Sequence, residues 1–288
     1  MNAQSKIENR KSKIPAVLHD RTIGLIGAGT MGQALMRGFL AHGILPRALR
    51  ASDASAARRQ EIRRRFRCSV TADNVSIVRE SDVVILAIKP QQFPDAVPAL
   101  APHLDAQRHV VISIAAGITL RWLQATLPGI ALIRVMPNLP ATVGCGFSAI
   151  ASGKKATPAH VTMARTLFRM VGEAVELPER HFDAITAVSG SGPAYLFYLV
   201  QAWEEAAVSL GLPPDVAASA IRQTLRGSLR LLEGSTAPPS ALIAQVASKG
   251  GTTEAALKTF VTRNFDDHLD EAIRAAARRS REDRKSVV

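Results

Sequence analysis

Short apolar runs alternate with helix-like segments along the first half of the chain. The runs lie at residues 22–29, 47–53, 82–90, 109–117 and 131–138. Runs of Val and Ile that end at turn-forming residues indicate parallel strands buried on both faces. Because helical segments separate the runs, the pattern predicts an α/β domain with a parallel sheet.

The strand pattern stops after residues 173–178, and the remaining sequence is rich in Ala and Leu with helical spacing. Four helices are predicted, at 192–211, at 213–234, from Thr252 onward, and at 265–282. We therefore expect a sheet domain at 21–180 and an all-α domain at 181–288. The polar, basic residues 1–20 are expected to form a flexible leader.

The predicted helical domain is small, and its first helix is apolar on nearly all sides from Ala194 to Val200. Such a helix needs other surfaces to pack against. A second copy of the same domain is the simplest source of that surface. The sequence therefore predicts a homodimer formed by residues beyond about 180, with burial inside one monomer as the alternative.

Composition limits the class of protein. The 288 residues carry a formal net charge of +12, but the Arg-rich runs at 58–67 and 274–283 resemble solvated helix faces, and aromatic residues make up 5%. We therefore expect no nucleic-acid partner. The long uncharged stretch at 184–203 is interrupted by Ser-Gly-Ser-Gly-Pro, which argues against a membrane span.

Two cysteines and seven scattered histidines offer neither a disulfide framework nor the spacing of metal ligands. A reducing, cytoplasmic location fits this cysteine usage best. No metal site is expected.

Gly27, Gly29 and Gly32 form a G-x-G-x-x-G pattern between the first predicted strand and the helix at 30–43. The first glycine permits a tight turn, the second lets a pyrophosphate approach, and the third lets helix and strand pack closely. The pattern alone is weak and also fits a structural turn. The series of strands and helices that it opens favours a dinucleotide-binding, Rossmann-type domain.

The choice of dinucleotide is left open by the end of the second strand. Asp53 there favours an unmodified ribose, whereas Arg58 and Arg59 offer positive charge for a 2′-phosphate. A solvated helix face explains the two arginines equally well. We expect NADPH as cofactor, with NADH as the alternative.

Six motifs then occur in a familiar order: IGAGTMG (26–32), AIKP (87–90), SIAAGI (113–118), RVMPNLPATVGCG (134–146), DAITAVSGSGPAY (183–195) and ASKGGTTEAAL (247–257). In them the chain resembles the pyrroline-5-carboxylate reductase family over about residues 22–283. The resemblance implies reduction of 1-pyrroline-5-carboxylate to L-proline by NAD(P)H, the last step of proline biosynthesis. It also implies interlocked helical domains, often a pentamer of dimers, and active sites that combine one subunit's cofactor domain with the dimer's helical domains.

The resemblance also implies which residues bind ligands. The cofactor contacts are Ile26, Gly27, Ala28, Gly29, Thr30, Met31, Gly32, Ser52, Asn74, Ala87, Ile88, Lys89, Pro90, Ile114, Ala115 and Ala116. The substrate-binding residues are Ser248, Gly250, Gly251, Thr252 and Thr253.

The chemistry of the substrate is consistent with the proposed substrate-binding residues. Backbone amides of residues 250–253, at a helix N-terminus, suit the substrate carboxylate, although the same residues also suit a simple helix cap. The imine nitrogen can already carry a proton, so catalysis should come mostly from positioning. Thr253 is the expected catalytic residue, because its hydroxyl can donate or relay a proton at that nitrogen.

Three residues depart from the family pattern: Lys249, where Pro is frequent, Thr236 in place of an acidic segment, and Gln245. Two other classes of protein are alternatives. A β-hydroxyacid dehydrogenase needs a basic residue on the first long helix of the second domain, and residues 189–203 contain no Lys or His. A non-catalytic nucleotide sensor would bind the cofactor without turnover.

Overall fold

The computed structural model describes residues 15–286 of the chain. Most of the expected flexible leader, residues 1–14, lies outside this range. The chain divides into two compact units, of which the second is Gly192–Ala275 and the first holds the described residues on either side of it. The domain boundary near residue 180 stays a prediction.

The first unit is built on one sheet, which has eight strands among the described residues in the order β3-β2-β1-β4-β5-β6-β7-β8. All neighbours are parallel except β6 and β7, so the predicted parallel α/β sheet is confirmed. The strands are β1 (Ile23–Ile26), β2 (Leu49–Ser52), β3 (Ser69–Thr71), β4 (Val83–Leu86), β5 (Val110–Ser113), β6 (Ala131–Pro137), β7 (Gly146–Ser152) and β8 (Gly172–Glu176).

Helices cover both faces of this sheet. Along β4, Val83 and Ile85 join one hydrophobic cluster, whereas Val84 and Leu86 join the other. The central strands are thus buried on both faces, as their unbroken apolar sequences predict. The helices of this unit are α1 (Thr30–Ala41), α2 (Ala56–Phe66), α3 (Asn74–Arg79), α4 (Phe93–Leu100), α5 (Leu120–Thr126), α6 (Pro158–Arg169) and α7 (Phe182–Ile185).

The second unit is helical. It comprises α8 (Gly192–Ser209), α9 (Pro214–Glu233), α10 (Pro239–Val246), α11 (Thr252–Thr262) and the first half of α12 (Phe265–Ser286). Its buried interior is small and centres on Ala207, Ala217 and Ile221. Large apolar residues stay exposed, including Tyr198 at 73% and Leu231 at 71%. The structure therefore does not show α8 buried inside one monomer.

No helix among residues 15–286 is both long enough and apolar enough to span a membrane.

Asp82 connects the beginnings of several strands. Its carboxylate accepts hydrogen bonds from the Thr22 amide at 2.9 Å, the Thr22 hydroxyl at 2.8 Å and Arg108 Nε at 3.0 Å. Burial alone would raise the pKa of Asp82, but the hydrogen bonds from Thr22 and Arg108 outweigh it and lower the pKa. The ionised carboxylate therefore stabilises the N-terminal edge of the sheet.

Replacing Asp82 with Asn should lower the free energy of unfolding by about 2 kcal/mol near neutral pH, the scale of hydrogen bonds to a charged group. Because the folded-state pKa lies below the unfolded one, this contribution is full above the ordinary Asp range. It is lost as pH falls through the folded pKa. Denaturant titrations should show the two proteins converging in acid.

Asp95→Asn serves as the control, since Asp95 is an exposed residue in the first turn of α4. It should change stability by less than about 0.5 kcal/mol at every pH, as is usual for surface substitutions. An equal loss for Asp82→Asn at all pH values would contradict this assignment.

Candidate cofactor and substrate sites

The first glycine turn joins β1 to α1 through backbone contacts. Gly27 has a φ of 95°, and a Cβ atom there would lie 2.7 Å from the Ala87 carbonyl oxygen. A Cβ atom at Gly32 would lie 2.5 Å from the Gly27 carbonyl oxygen. Around Gly29, by contrast, a Cβ atom would meet nothing within 4 Å. Gly27 and Gly32 therefore shape the turn, whereas Gly29 leaves open space at the start of α1.

That open space suits a phosphate group. The amides of Thr30, Met31 and Gly32 have no acceptor among the described residues, and the first intrahelical amide bond of α1 runs from Gln33 to Gly29. Free amides at a helix N-terminus attract anions. The turn thus fits the pyrophosphate of a dinucleotide.

A cleft of about 400 Å³ opens at the carboxyl ends of β1, β2 and β4. In the sheet, Ile26 is level with both Ser52 and Leu86, so these three strands end side by side. Seven of the predicted cofactor contacts line the cleft: Gly27, Gly29, Ser52, Asn74, Ala87, Ile88 and Lys89.

The other predicted cofactor residues do not line this cleft but belong to the elements around it. Ile26 and Ala28 are fully buried. The Ile114 amide donates to the Leu86 carbonyl oxygen at 3.2 Å, which places the end of β5 beside that of β4. Thr30, Met31 and Gly32 form the first turn of α1, Pro90 follows β4, and Ala115 and Ala116 follow β5.

Ser52 and Asn74 are joined directly. Ser52 is fully buried, and its hydroxyl donates to Asn74 Oδ1 at 2.6 Å. Asp73 caps the short helix that Asn74 begins, since its carboxylate accepts from the amides of Val75 and Ser76. This cap fixes one side of the cleft.

Asp53 also lines the cleft. Its carboxylate accepts from the Ala28 amide at 3.1 Å, the Ser55 amide at 2.9 Å and Arg58 Nη1 at 3.2 Å. Burial alone would raise the pKa of Asp53, but the Ser55 and Ala28 amides and Arg58 outweigh it and lower the pKa. The side chain is therefore an anion that holds the glycine turn against the end of β2.

The second glycine turn precedes α11 in the helical unit. Gly250 has a φ of 74°, and the Gly251 amide donates to the Ser248 carbonyl oxygen at 3.0 Å. A Cβ atom at Gly251 would lie 2.4 Å from Ser248 Oγ. Gly251 is the capping residue of α11, and no side chain caps this helix. The hydroxyls of Thr252 and Thr253 therefore do not act as the cap.

The amides of this turn are only partly free. The Gly250 amide donates to the Glu254 carboxylate, and the Gly251 amide is used within the turn. The amides of Thr252 and Thr253 have no acceptor among residues 15–286. Of the four amides suggested by the sequence, two are thus free to bind an anion. The sequence-based prediction did not include the bond to Glu254. An acidic residue at the third position of a helix is nevertheless a recognisable signal for a carboxylate that accepts from a backbone amide before the helix.

Two family models match the chain, and each matched region contains one of the glycine turns. A model described as pyrroline-5-carboxylate reductase dimerisation matches residues 179–283, and one described as NADP oxidoreductase, coenzyme F420-dependent, matches residues 22–117. The pyrroline-5-carboxylate reductase of Synechocystis sp. is 38% identical over 261 residues, covering 90% of this chain and 97% of the relative. That of Pseudomonas aeruginosa is 39% identical over 262 residues, covering 90% and 96%.

The chain belongs to the pyrroline-5-carboxylate reductase family.

Solved structures of pyrroline-5-carboxylate reductases have a similar fold. A pyrroline-5-carboxylate reductase from Coxiella burnetii has a TM-score of 0.86 at 30% identity, covering 91% of this chain and 98% of that one. The Plasmodium falciparum pyrroline carboxylate reductase, solved with NADP bound, has a TM-score of 0.83 at 25% identity, covering 92% and 98%. The predicted fold class, a Rossmann-type domain followed by an all-α dimerisation domain, is confirmed.

The dimerisation match also confirms that this protein forms a homo-oligomer. Family membership decides against a β-hydroxyacid dehydrogenase. The pentamer of dimers and the individual ligand contacts stay predictions.

Two alanine substitutions should separate the roles of the glycines. Gly29→Ala should leave the melting temperature unchanged, because space surrounds this position, yet weaken NADPH binding at least about 10-fold by blocking the pyrophosphate. Gly32→Ala should lower both stability and binding, because its Cβ atom would collide with the Gly27 carbonyl oxygen.

Thermal unfolding and NADPH titration of both variants provide the test. Unchanged NADPH affinity in Gly29→Ala would contradict the position assigned to the pyrophosphate.

Proposed function

We propose that this protein reduces 1-pyrroline-5-carboxylate to L-proline with NAD(P)H, as the last step of proline biosynthesis in the cytoplasm. The main support is the match to pyrroline-5-carboxylate reductases, which covers 90% of the chain. The glycine-lined cleft and the second glycine turn with free amides agree with it. The absence of a disulfide framework supports a reducing location.

The cofactor supplies a hydride when it is bound. Its pyrophosphate would lie on the amides at the start of α1, beside Gly29. The buried pair of Ser52 and Asn74 would contact the adenosine half, and Ala87 to Lys89 would line the path toward the nicotinamide. The remaining proposed contacts are Ile26, Gly27, Ala28, Thr30, Met31, Gly32, Pro90, Ile114, Ala115 and Ala116.

The substrate carboxylate would bind at the start of α11. The free amides of Thr252 and Thr253 would donate to it, with the Ser248 hydroxyl as a further donor. Gly250 adopts a left-handed conformation that most other residues avoid, and a Cβ atom at Gly251 would displace the Ser248 hydroxyl. The two glycines therefore give the turn a shape that exposes these amides.

Thr253 is the proposed catalytic residue. It is half-buried, and its hydroxyl has no hydrogen-bond partner among the described residues, so the hydroxyl is free to donate to the imine nitrogen. Because that nitrogen can already carry a proton, Thr253 would orient or relay a proton rather than act as a strong acid.

We also propose a homodimer formed by the helical unit, as the family resemblance implies, with five dimers per particle. The exposed apolar side chains of α8 and α9, among them Phe197, Tyr198 and Leu231, support this interface. Each active site would combine the cofactor cleft of one subunit with a glycine turn from its partner.

The activity test is oxidation of NADPH and of NADH in the presence of 1-pyrroline-5-carboxylate. Thr253→Ala should lower kcat about 100-fold, the lower range of acid–base contributions, with little change in cofactor affinity. Thr259→Ala is the matched control, because Thr259 lies on the same helix and, among the described residues, its hydroxyl bonds only to the Ala255 carbonyl oxygen. An unchanged kcat in Thr253→Ala would remove Thr253 from the mechanism.

Introducing a charged side chain on the exposed apolar surface of α9 should dissociate the dimer. Leu231→Glu places a carboxylate where α9 would be buried, so sedimentation at micromolar concentration should show monomers. Val143→Glu changes a side chain that is equally exposed, at 74%, but lies in the sheet unit, and it should leave the oligomer intact. A Leu231→Glu protein that sediments like the wild type would contradict the proposed interface.

A further inference from the structure

We propose that Asn138 is a positioning residue for hydride transfer, because it ties a π-helical turn, Thr186–Gly190, to the carboxyl end of β6. This inference rests on the proposed function, because it concerns a residue that serves the same reaction. Asn138 acts through the turn and not by contact with the reacting atoms. The turn forms a fixed wall for the nicotinamide and the imine at this edge of the sheet.

The turn Thr186–Gly190 continues α7 with a wider helical geometry. The Ser191 amide donates to the Thr186 carbonyl oxygen, five residues back, at 2.8 Å. Single turns of this kind are rare in proteins and occur frequently at functional sites. The geometry is therefore consistent with a functional role for this segment.

Asn138 holds the turn and the sheet at the same time. Its Nδ2 donates to Ser189 Oγ at 3.0 Å and to the Ser189 carbonyl oxygen at 3.3 Å. Its Oδ1 accepts from the Phe147 amide at 2.8 Å. Asn138 directly follows β6, and Phe147 is the second residue of β7. One side chain thus joins the turn to two neighbouring strands.

The turn lies close to the end of β5, which carries proposed cofactor contacts. A Cβ atom at Gly190 would lie 2.9 Å from Met136 Cε, so the turn packs directly on β6. Met136 packs in turn against the buried cluster that contains Ala115. Because β5 and β6 are adjacent and parallel, their carboxyl ends meet at the ligand-binding edge of the sheet.

One side of the turn is buried and the other is open. Ala187 is fully buried, whereas Val188 is 57% exposed. An open apolar side chain at this edge suits contact with a flat ring. Hydride transfer needs the ring and the imine carbon in a near-attack arrangement, and a displacement of about 1 Å can cost about 100-fold in rate. Holding the turn in place therefore fixes one boundary of this arrangement.

Two variants loosen the turn in steps and keep the bond to β7. Ser189→Ala removes one of the two acceptors, so kcat should fall about 2- to 3-fold, because the bond to the carbonyl oxygen remains. Adding Asn138→Asp leaves an oxygen for the Phe147 amide but places the other against the Ser189 carbonyl oxygen, which it repels. In this double variant kcat should fall at least about 10-fold. The NADPH dissociation constant should stay within about 2-fold, because the pyrophosphate site is unchanged.

The test combines kinetics with 1-pyrroline-5-carboxylate, titration of NADPH without substrate, and amide hydrogen exchange over residues 186–191. Exchange in the turn should be faster in the double variant, while exchange in β1, β4 and β5 is unchanged. Gln107→Glu is the control, because it also converts an amide to a carboxylate, at an exposed position before β5. It should leave all three measurements unchanged.

A lower kcat together with faster exchange in the turn and unchanged NADPH affinity would support the proposal. An unchanged kcat, or a lower kcat without faster exchange, would overturn it. An equal loss of NADPH affinity would also overturn it, because Asn138 would then act on cofactor binding.

If the double variant does not fold, Ser189→Ala and Ser189→Thr decide the question. Threonine keeps a hydroxyl acceptor for Asn138, so Ser189→Thr should retain the kcat that Ser189→Ala loses, and equal losses would contradict the proposal. Failure of the proposed function is distinguishable, because it would appear as an inactive wild-type protein before any variant is compared.

Discussion

The cofactor cleft depends on a backbone contact that leaves no room for a side chain. The Gly27 amide donates to the Ser52 carbonyl oxygen at 2.9 Å, and the Ala87 amide donates to the Ile26 carbonyl oxygen at 2.8 Å. These two bonds hold the ends of β1, β2 and β4 together around a turn in which a Cβ atom would collide with Ala87. The start of α1 is thereby positioned with its free amides toward the cleft.

The parts of this arrangement that could be predicted from the sequence are those that depend on local patterns. Buried strands give long apolar runs, and the glycine spacing marks the turn. The strands β3 and β7 were not predicted, because β3 has only three residues and β7 is rich in small and polar ones, Gly146-Phe-Ser-Ala-Ile-Ala-Ser. Their places in the sheet come from tertiary pairing rather than from propensity.

The bonding of Asp53 could not be predicted either. The bond from the Ala28 amide joins residues 25 apart, so it depends on the register of β1 against β2. A similar limit applies to the Arg-rich end of α12, which the sequence predicts to be a solvated helix face. Ser280 Oγ and Arg284 Nη2 donate to the buried carboxylate of Asp183, at 3.0 Å and 2.5 Å. Nothing in the sequence around Asp183 indicates these distant partners.

We propose that one glycine turn holds the reductant and that another, contributed by a partner subunit, holds the substrate. Mixed dimers test it most directly: a Gly29→Val chain that cannot bind cofactor is combined with a Thr253→Ala chain, each nearly inactive alone. If sites are shared between subunits, random mixing restores one intact site in each hybrid dimer, and activity should return to about a quarter of the wild-type level. Activity no greater than that of the separate variants, in mixtures proven to contain hybrid dimers, would contradict the claim.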